Sequence, residues 1–465
     1  MMESVLNRRH WRILRRLAHC FREGGRHVDE RVIAIAILLL AAPILAQSSA
    51  EVNAGIQFNF LNPGASHLGM GGAFIGGADD ATAAYANPAG VINILRPEVS
   101  LEGRVWTYGP SNPESGRGSG APTGIGVDTI GHIREATTQR NVPAVSFASA
   151  VYPSERWAVA VYYHELANYV AEPEQRGIFF ATKGGDTRFY LTRSTLDLQI
   201  LSFGAAAAFR VLDNVYLGVD LAHTDFELHS TTKRYDFDDF NQADFKTLRD
   251  TQTQEGKDSA TRYGAGIIWD VVPSLRFGAV YRRGPSYDVT ATTISEPKNE
   301  TPQFTAVCPA KFHVPDFYGV GVSVRPNAFL NVNADVDRVA YSKMSRDFVE
   351  FSELFTACES QPRAKAYRVP DGHEYHLGIR YVAARRNDFL QRHPLTLRAG
   401  AWSEPPHALE YIGSGPQRFL FSQNRAALHG SLGFSVILNR WSQVASAMDI
   451  SRHQRIISIS TLARY

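Results

Sequence analysis

The sequence predicts an all-β fold, a transmembrane antiparallel barrel of about 14 strands with an N-terminal plug in its lumen. Three observations carry this prediction: a secretory leader, hairpins whose connections alternate between short and long, and a glycine-rich stretch ahead of the first strand.

The leader comes first in the chain. An arginine-rich stretch over 8–31 precedes an uncharged apolar run over 32–45, followed by Ala46-Gln47-Ser48-Ser49-Ala50. This is the basic, apolar and small-residue order of a secretory signal, so residues 1–46 are expected to be a signal peptide. The basic part is long for such a leader, which fits a start nearer Val28. Without residues 1–46 the balance moves from 48 basic and 46 acidic residues to about 40 and 42, which points to no nucleic-acid partner. Of the 3 cysteines, Cys20 belongs to the leader. Cys308 and Cys358 remain in an oxidising compartment and are expected to form a disulfide. Two free thiols are the alternative, since spacing alone does not bring the Cα atoms together.

No apolar run after Leu45 is long enough to span a bilayer as a helix. A soluble protein and a transmembrane barrel share that property. Over 215–223, Val215, Leu217, Val219 and Leu221 alternate with Tyr216, Gly218, Asp220 and Ala222; residues 330–337 repeat the pattern. Alternation marks a strand, and a soluble sandwich shows it too.

Connection lengths separate the two. Short turns fall at 153–156, 212–214, 271–274, 325–328 and 438–441, with a longer one at 385–393. Between them lie long polar stretches at 108–141, 170–194, 230–257, 290–315, 344–372 and 405–425. Brief periplasmic turns opposite long external loops are the pattern of an outer-membrane barrel. The last connection, 452–454, is short although it should be external. Strands are expected at 98–107, 142–152, 157–169, 195–210, 215–229, 258–270, 275–289, 316–325, 329–343, 373–384, 394–404, 426–437, 442–451 and 455–465. This even count puts both ends of the barrel, residues 97–465, on the periplasmic side. The closing strand ends on the aromatic Tyr465, similar to the terminal signature of outer-membrane barrels. The expected location is the bacterial cell outer membrane.

Residues 47–96 are expected to form the plug. Its core, 62–90, is nearly uncharged and built of small residues, with Gly69, Gly71, Gly72, Gly76 and Gly77 permitting close backbone approach. Asp79 and Asp80 suit an N-cap for a short helical turn through Ala84, and Asn87-Pro88 should end it. A flexible linker is the alternative. A dinucleotide site is not indicated, because the third glycine of G-x-G-x-x-G is missing.

At Leu68-Gly-Met-Gly-Gly-Ala-Phe, Ala78-Asp-Asp-Ala-Thr-Ala and Asn87-Pro-Ala-Gly the sequence resembles the N-terminal hatch of the FadL/TodX-type outer-membrane transporters and their PorV-like relatives. The residues that match are Gly69, Gly71, Gly72, Asp79, Asp80, Asn87, Pro88 and Ala89. The resemblance implies a monomeric barrel for passive uptake of long-chain fatty acids or other hydrophobic compounds, in contact with outer-membrane lipid. In the best-known members the cargo passes the hatch and leaves sideways through a gap in the wall. The third strand holds no glycine at which to kink, so nothing in the sequence signals that gap here. The PorV-like relatives imply an alternative, a barrel serving protein export or surface attachment.

Alternation turns Asp220, Arg276, Arg282, Asp335, Asp337, Arg380, Arg398 and Asp449 inward, with His376 and His429. They either receive a carboxylate headgroup or neutralise one another across the lumen. The apolar patches 178–180 and 351–355 either form a surface groove or pack loops. There is no G-x-S-x-G, H-E-x-x-H or C-x-x-C, so no enzyme, catalytic residue, metal site or cofactor is expected.

Overall fold

The computed structural model describes residue 56 and residues 60–109, 111–297, 302–344, 367–383, 393–421 and 426–465. The expected signal peptide lies outside them.

The 14 strands of the barrel are β1 (Glu98–Tyr108), β2 (Arg140–Pro153), β3 (Trp157–Ala171), β4 (Leu191–Leu212), β5 (Val215–Tyr235), β6 (Leu248–Val272), β7 (Leu275–Arg282, continued by Ser286–Ser295), β8 (Phe304–His313, continued by Phe317–Asn327), β9 (Leu330–Val339), β10 (Gly372–Val382), β11 (Leu395–Glu404), β12 (Ala427–Asn439), β13 (Ser442–Ile450) and β14 (Gln454–Arg464). Each pairs antiparallel with its neighbour in sequence. β1 also pairs with β14, from Glu98 opposite Arg464 to Tyr108 opposite Gln454, which closes the sheet. Closure joins the first and last strands, so the sheet has no outer edge.

Which face carries the apolar residues decides between sandwich and barrel. Along β5, Val219 is 55% exposed and Leu221 59%, whereas Asp220 between them is 3% exposed. The apolar face therefore points out and the polar face in, the reverse of a soluble sheet. Outward aromatics form two girdles. Trp157, Phe209, Trp269, Phe277, Tyr381 and Trp441 lie toward the short turns, and Tyr263, Tyr318 and Tyr375 toward the long loops.

Two stretches expected as loops extend the hairpins of the barrel wall. Ser230 pairs with Gln254, and Thr290 with Pro309, so the 230–257 and 290–315 connections are hairpins standing beyond the apolar band. Residues 230–235 and 248–257 are largely polar on both faces and so lack the alternation that marks a strand, whereas Phe304, Ala306, Cys308, Ala310 and Phe312 do alternate with their neighbours. The threonines of both hairpins still pair well across a ladder. Cys308 lies on this outer part of β8 and is disulfide-bonded. Cys358 and the apolar patch 351–355 lie outside the described residues.

The other apolar patch is a loop core. Ile178, Phe179 and Phe180 are buried, Phe180 packing on Phe189 at 4.9 Å and Phe179 on Phe237 at 5.7 Å between ring centroids. Beside it Arg117, fully buried, pairs with Asp128 at 2.7 Å and Asp186 at 2.9 Å. Burial alone pushes the Asp128 carboxyl up. Hydrogen bonds from Arg117 and Thr123 more than reverse this and hold it below the usual carboxylate range. A group depressed in this way stabilises the loop above its unfolded pKa, and the contribution is lost as pH falls through the lower folded value. Loop proteolysis is therefore expected to stay slow down to pH values below the ordinary aspartate pKa of 3.8. In Asp128→Asn it should be fast at neutral pH as well. Equal proteolysis of the two proteins at neutral pH would count against this pairing.

Candidate functional site

The N-terminal segment packs against the inward face of the wall. Residues 60–92 are buried almost throughout. The segment forms two short helices, α1 (Ala65–Leu68) and α2 (Ala83–Ala86), and a 3-10 turn at Pro88–Asn93. Small residues matter because backbone meets backbone. Wall glycines face the segment on seven of the eight strands from β5 to β12: Gly218 (β5), Gly266 (β6), Gly278 (β7), Gly321 (β8), Gly378 (β10), Gly400 (β11) and Gly433 (β12). A Cβ on Gly218 would overlap Ala89 and Pro88, one on Gly278 the Ile75 carbonyl, and one on Gly400 the Gly71 nitrogen. From the other side, a Cβ on Gly71 would come within 2.9 Å of the Ala401 backbone, and at φ +64° Gly71 also needs the left-handed region.

Inward polar groups hold the segment in place. Asp335 on β9 accepts the amides of Phe74 at 2.5 Å and Ile75 at 2.8 Å. Asn333 donates to the Ala73 carbonyl at 3.1 Å, and His376 Nδ1 to the Gly71 carbonyl at 2.7 Å. Glu98 and Glu102 on β1 accept the amides of Ala81 at 2.8 Å and Gly64 at 3.0 Å.

The matched motif residues take distinct places. Gly69 lies against Gly433, Gly71 against Ala401, and Gly72 against Leu61 and His376. Asp79 pairs with Arg380 at 3.0 Å and Arg325 at 3.5 Å across the end of the lumen nearer the short turns. Asp80 pairs with His67 at 3.0 Å and accepts the Thr82 amide at 3.0 Å. The acidic pair was expected to cap a helix directly. The helix instead begins at Ala83, with Asp80 fixing the turn before it. Asn87 is fully buried; it ends α2 and accepts the Ala89 amide at 3.3 Å, capping the 3-10 turn that Pro88 opens. Its amide donates to the Ile75 carbonyl at 2.9 Å.

The wall is not paired along its whole height. β2 and β3 are joined from Pro153 opposite Ala158 up to Phe147 opposite His164. Above that rung, residues 140–145 pair only with β1, and residues 165 and 167–171 only with β4. Each strand carries a bulge at the point of parting. On β2, Phe147 faces Glu102 and Val145 faces Gly103, which leaves Ser146 over. On β3, Glu165 faces Leu201 and Ala167 faces Ile200, which leaves Leu166 over. An extra residue bends and twists a strand, and beyond it β3 buries both faces: Glu165, Leu166 and Ala167 are all covered. The sequence offered no glycine signal for a lateral gap; a pair of bulges supplies the break instead.

Parting two strands frees backbone groups. The Tyr108 hydroxyl on β1 reaches across inside, donating to the Val170 carbonyl at 2.7 Å and accepting the Val170 amide at 2.5 Å. Tyr108→Phe leaves both groups unpartnered and, with Val170 half-buried, should cost about 1 kcal/mol for each. Hydrogen exchange at the Val170 amide checks this, and unchanged protection would reject the role.

Aromatic rings line the inner side of the break. Tyr108 stacks on Tyr169 at 4.9 Å and lies 4.3 Å from Trp106. Lower down, Tyr85 of the N-terminal segment lies 4.0 Å from His164 and 6.1 Å from Tyr162. Arg262 and Arg282 approach the Tyr85 ring at 4.8 Å and 4.5 Å, and Arg282 also covers Phe317 at 3.8 Å.

Most inward charges neutralise one another. Asp220 is ion-paired with Arg262 and accepts the Tyr162 hydroxyl at 2.8 Å. Arg276 pairs with Asp270, and His429 with Asp449 at 2.7 Å. Arg398 donates to Ser435 at 2.9 Å. Arg282 differs: it is buried, and none of its three nitrogens has a hydrogen-bond partner among the described residues. One group among the described residues, Asp337, Glu374 and His376, brings carboxylate and imidazole atoms together closely enough to hold a metal ion.

Residues 44–406 match the family model described as outer membrane protein transport protein (OMPP1/FadL/TodX). No curated protein sequence matches the chain. Among solved structures, a Pseudomonas aeruginosa FadL homologue is 12% identical with a TM-score of 0.56. The Ralstonia pickettii toluene transporter TbuX is 17% identical with a TM-score of 0.54. The CymD monoaromatic hydrocarbon channel is 14% identical with a TM-score of 0.55. Each alignment covers 88% of this chain and 99% of the other. At these identities the likeness is one of fold.

Proposed function

The chain belongs to the OMPP1/FadL/TodX family of outer-membrane transport proteins for hydrophobic compounds, and on that premise we propose that it takes up long-chain fatty acids passively across the bacterial outer membrane. Residues 47–96 act as the hatch of a monomeric barrel. The cargo is captured at the long loops and enters the lumen above the hatch. It then leaves sideways between β2 and β3 into the bilayer.

The parted wall is the observation that carries this reading. The N-terminal segment packs against the inward face of the wall, so a straight passage to the short-turn end would require displacing it from its wall contacts. The sideways route needs no such rearrangement. Its inner side is lined by Trp106, Tyr108, Phe147, Tyr162 and Tyr169, and a hydrophobic chain loses nothing by leaving water for such a surface.

A carboxylate headgroup is favoured over a plain hydrocarbon by Arg282. A buried guanidinium without a hydrogen-bonding acceptor pays a desolvation cost that a bound carboxylate offsets. Uptake of labelled oleate and labelled toluene by cells lacking and carrying the protein tests the reading. Oleate uptake should depend on the protein and weaken in Arg282→Gln, with toluene less affected. Oleate uptake that is identical with and without the protein would overturn it.

A further inference from the structure

We propose that Asp337, Glu374 and His376 form a binding site for one first-row divalent transition-metal ion, built where the wall grips the N-terminal segment.

The site follows from strand pairing. Glu374 and His376 stand two apart on β10, so both point inward. β9 sets Asp337 opposite Glu374 and Asp335 opposite His376. The donor atoms of Asp337, Glu374 and His376 all lie within 4.8 Å of one another. His376 Nε2 is 3.3 Å from Asp337 Oδ2 and 3.5 Å from Glu374 Oε2. Ligands held about 2.0–2.1 Å from a tetrahedral ion are separated by about 3.3–3.4 Å, and the two imidazole-to-carboxylate spacings are close to that.

An orphaned atom points to a ligand. Among the described residues His376 Nε2 makes no hydrogen bond, although its side chain is more than nine-tenths buried and the nitrogen is turned between Asp337 Oδ2 and Glu374 Oε2. The other side of each ligand is fixed. His376 Nδ1 faces the Gly71 carbonyl at 2.7 Å, which can only accept, so Nδ1 carries a proton. In a neutral ring that leaves the Nε2 lone pair turned toward the two carboxylates, as in a metal-ligating histidine with its outer hydrogen bond. The Tyr341 hydroxyl donates to Glu374 Oε1 at 3.0 Å, leaving Oε2 to face the site. Trp402 stacks on the imidazole at 5.4 Å and fixes its plane. Asp335 is taken by the Phe74 and Ile75 amides and is not a ligand. One imidazole and two carboxylates suit Zn²⁺, Mn²⁺ or Fe²⁺ rather than a thiolate-preferring ion. Because the ligating ring also holds Gly71, an ion here would tie β9 and β10 to the N-terminal segment.

The test uses the full mature protein without a histidine tag, unfolded in urea with EDTA and refolded into detergent with ZnCl₂ or CoCl₂. Elemental analysis after gel filtration should find one Zn²⁺ per folded chain. Co²⁺ should give the visible absorption of a low-coordinate nitrogen–oxygen site. Asp337→Asn with Glu374→Gln should lose both signals while still folding, as judged by heat-modifiable mobility. Wild-type protein that folds without retaining Zn²⁺ or Co²⁺ would overturn the proposal, and His376 would then be an imidazolium balancing the two carboxylates. Retention by the double variant equal to wild type would also overturn it. Should the double variant not fold, the wild-type stoichiometry and Co²⁺ spectrum still decide the matter.

Discussion

Deleting the two bulged residues, Ser146 and Leu166, is expected to close the parted wall and stop transport without unfolding the barrel. Without Leu166 the ladder between β3 and β4 runs on evenly, with Ala167 following Glu165 in the register it lacks by one place. Without Ser146 the ladder between β1 and β2 does the same. Both strands then continue straight past Phe147 and His164, where their pairing now stops. Their free backbone groups can bond to each other instead of to Tyr108. Uptake of labelled oleate should fall about tenfold or more, equivalent to about 1.4 kcal/mol added to the barrier. A folded double deletion that transports at the wild-type rate would show that cargo does not leave between β2 and β3. The Zn²⁺ content should be unchanged, since the deletions are remote in the chain from β9 and β10.

Asp335→Ala is expected to give the largest loss of stability in the lumen. One carboxylate oxygen accepts both the Phe74 and Ile75 amides. Phe74 and Ile75 are buried, so no water replaces the lost acceptor. Two orphaned donors at about 1–3 kcal/mol each put the loss at about 2–6 kcal/mol. The loss falls on the N-terminal segment rather than on the ladders of the wall. Residues 60–94 should therefore become accessible to protease while the barrel keeps its heat-modifiable mobility. Asp335→Asn, which keeps a carbonyl oxygen in place, should lose less. Protease resistance equal to wild type in Asp335→Ala would mean that the glycine contacts alone hold the segment.

The barrel was legible because its rules are periodic. Val219, Asp220 and Leu221 show the alternation directly, and closure between β1 and β14 follows from an even number of strands with short and long connections taking turns. The hairpin extension at 230–257 was not legible, since its strands are largely polar on both faces; the one at 290–315 alternates over 304–313, but the polar, proline-containing run 295–303 reads as a loop. The hatch-like motif was legible through Asn87-Pro88-Ala89. Its other half, the glycines of the wall, looked like ordinary strand glycines until the segment lay against them. Gly218 and Gly400 have no signature apart from being on the inward face.

The sequence by itself determined the fold class and the family resemblance, because hydropathy period, turn spacing and a contiguous motif are properties of neighbours along the chain. Tertiary structure alone decided where the wall parts and where charges meet. A bulge exists only relative to the partner strand, so Ser146 and Leu166 become extra residues only once β1 and β4 set the count. The junction of Asp337 with Glu374 and His376 is likewise made by register: the pairing of β9 with β10 places the three side chains on one inward patch. The identity of the residues fixed their chemistry, and cross-strand pairing fixed which of them could act together.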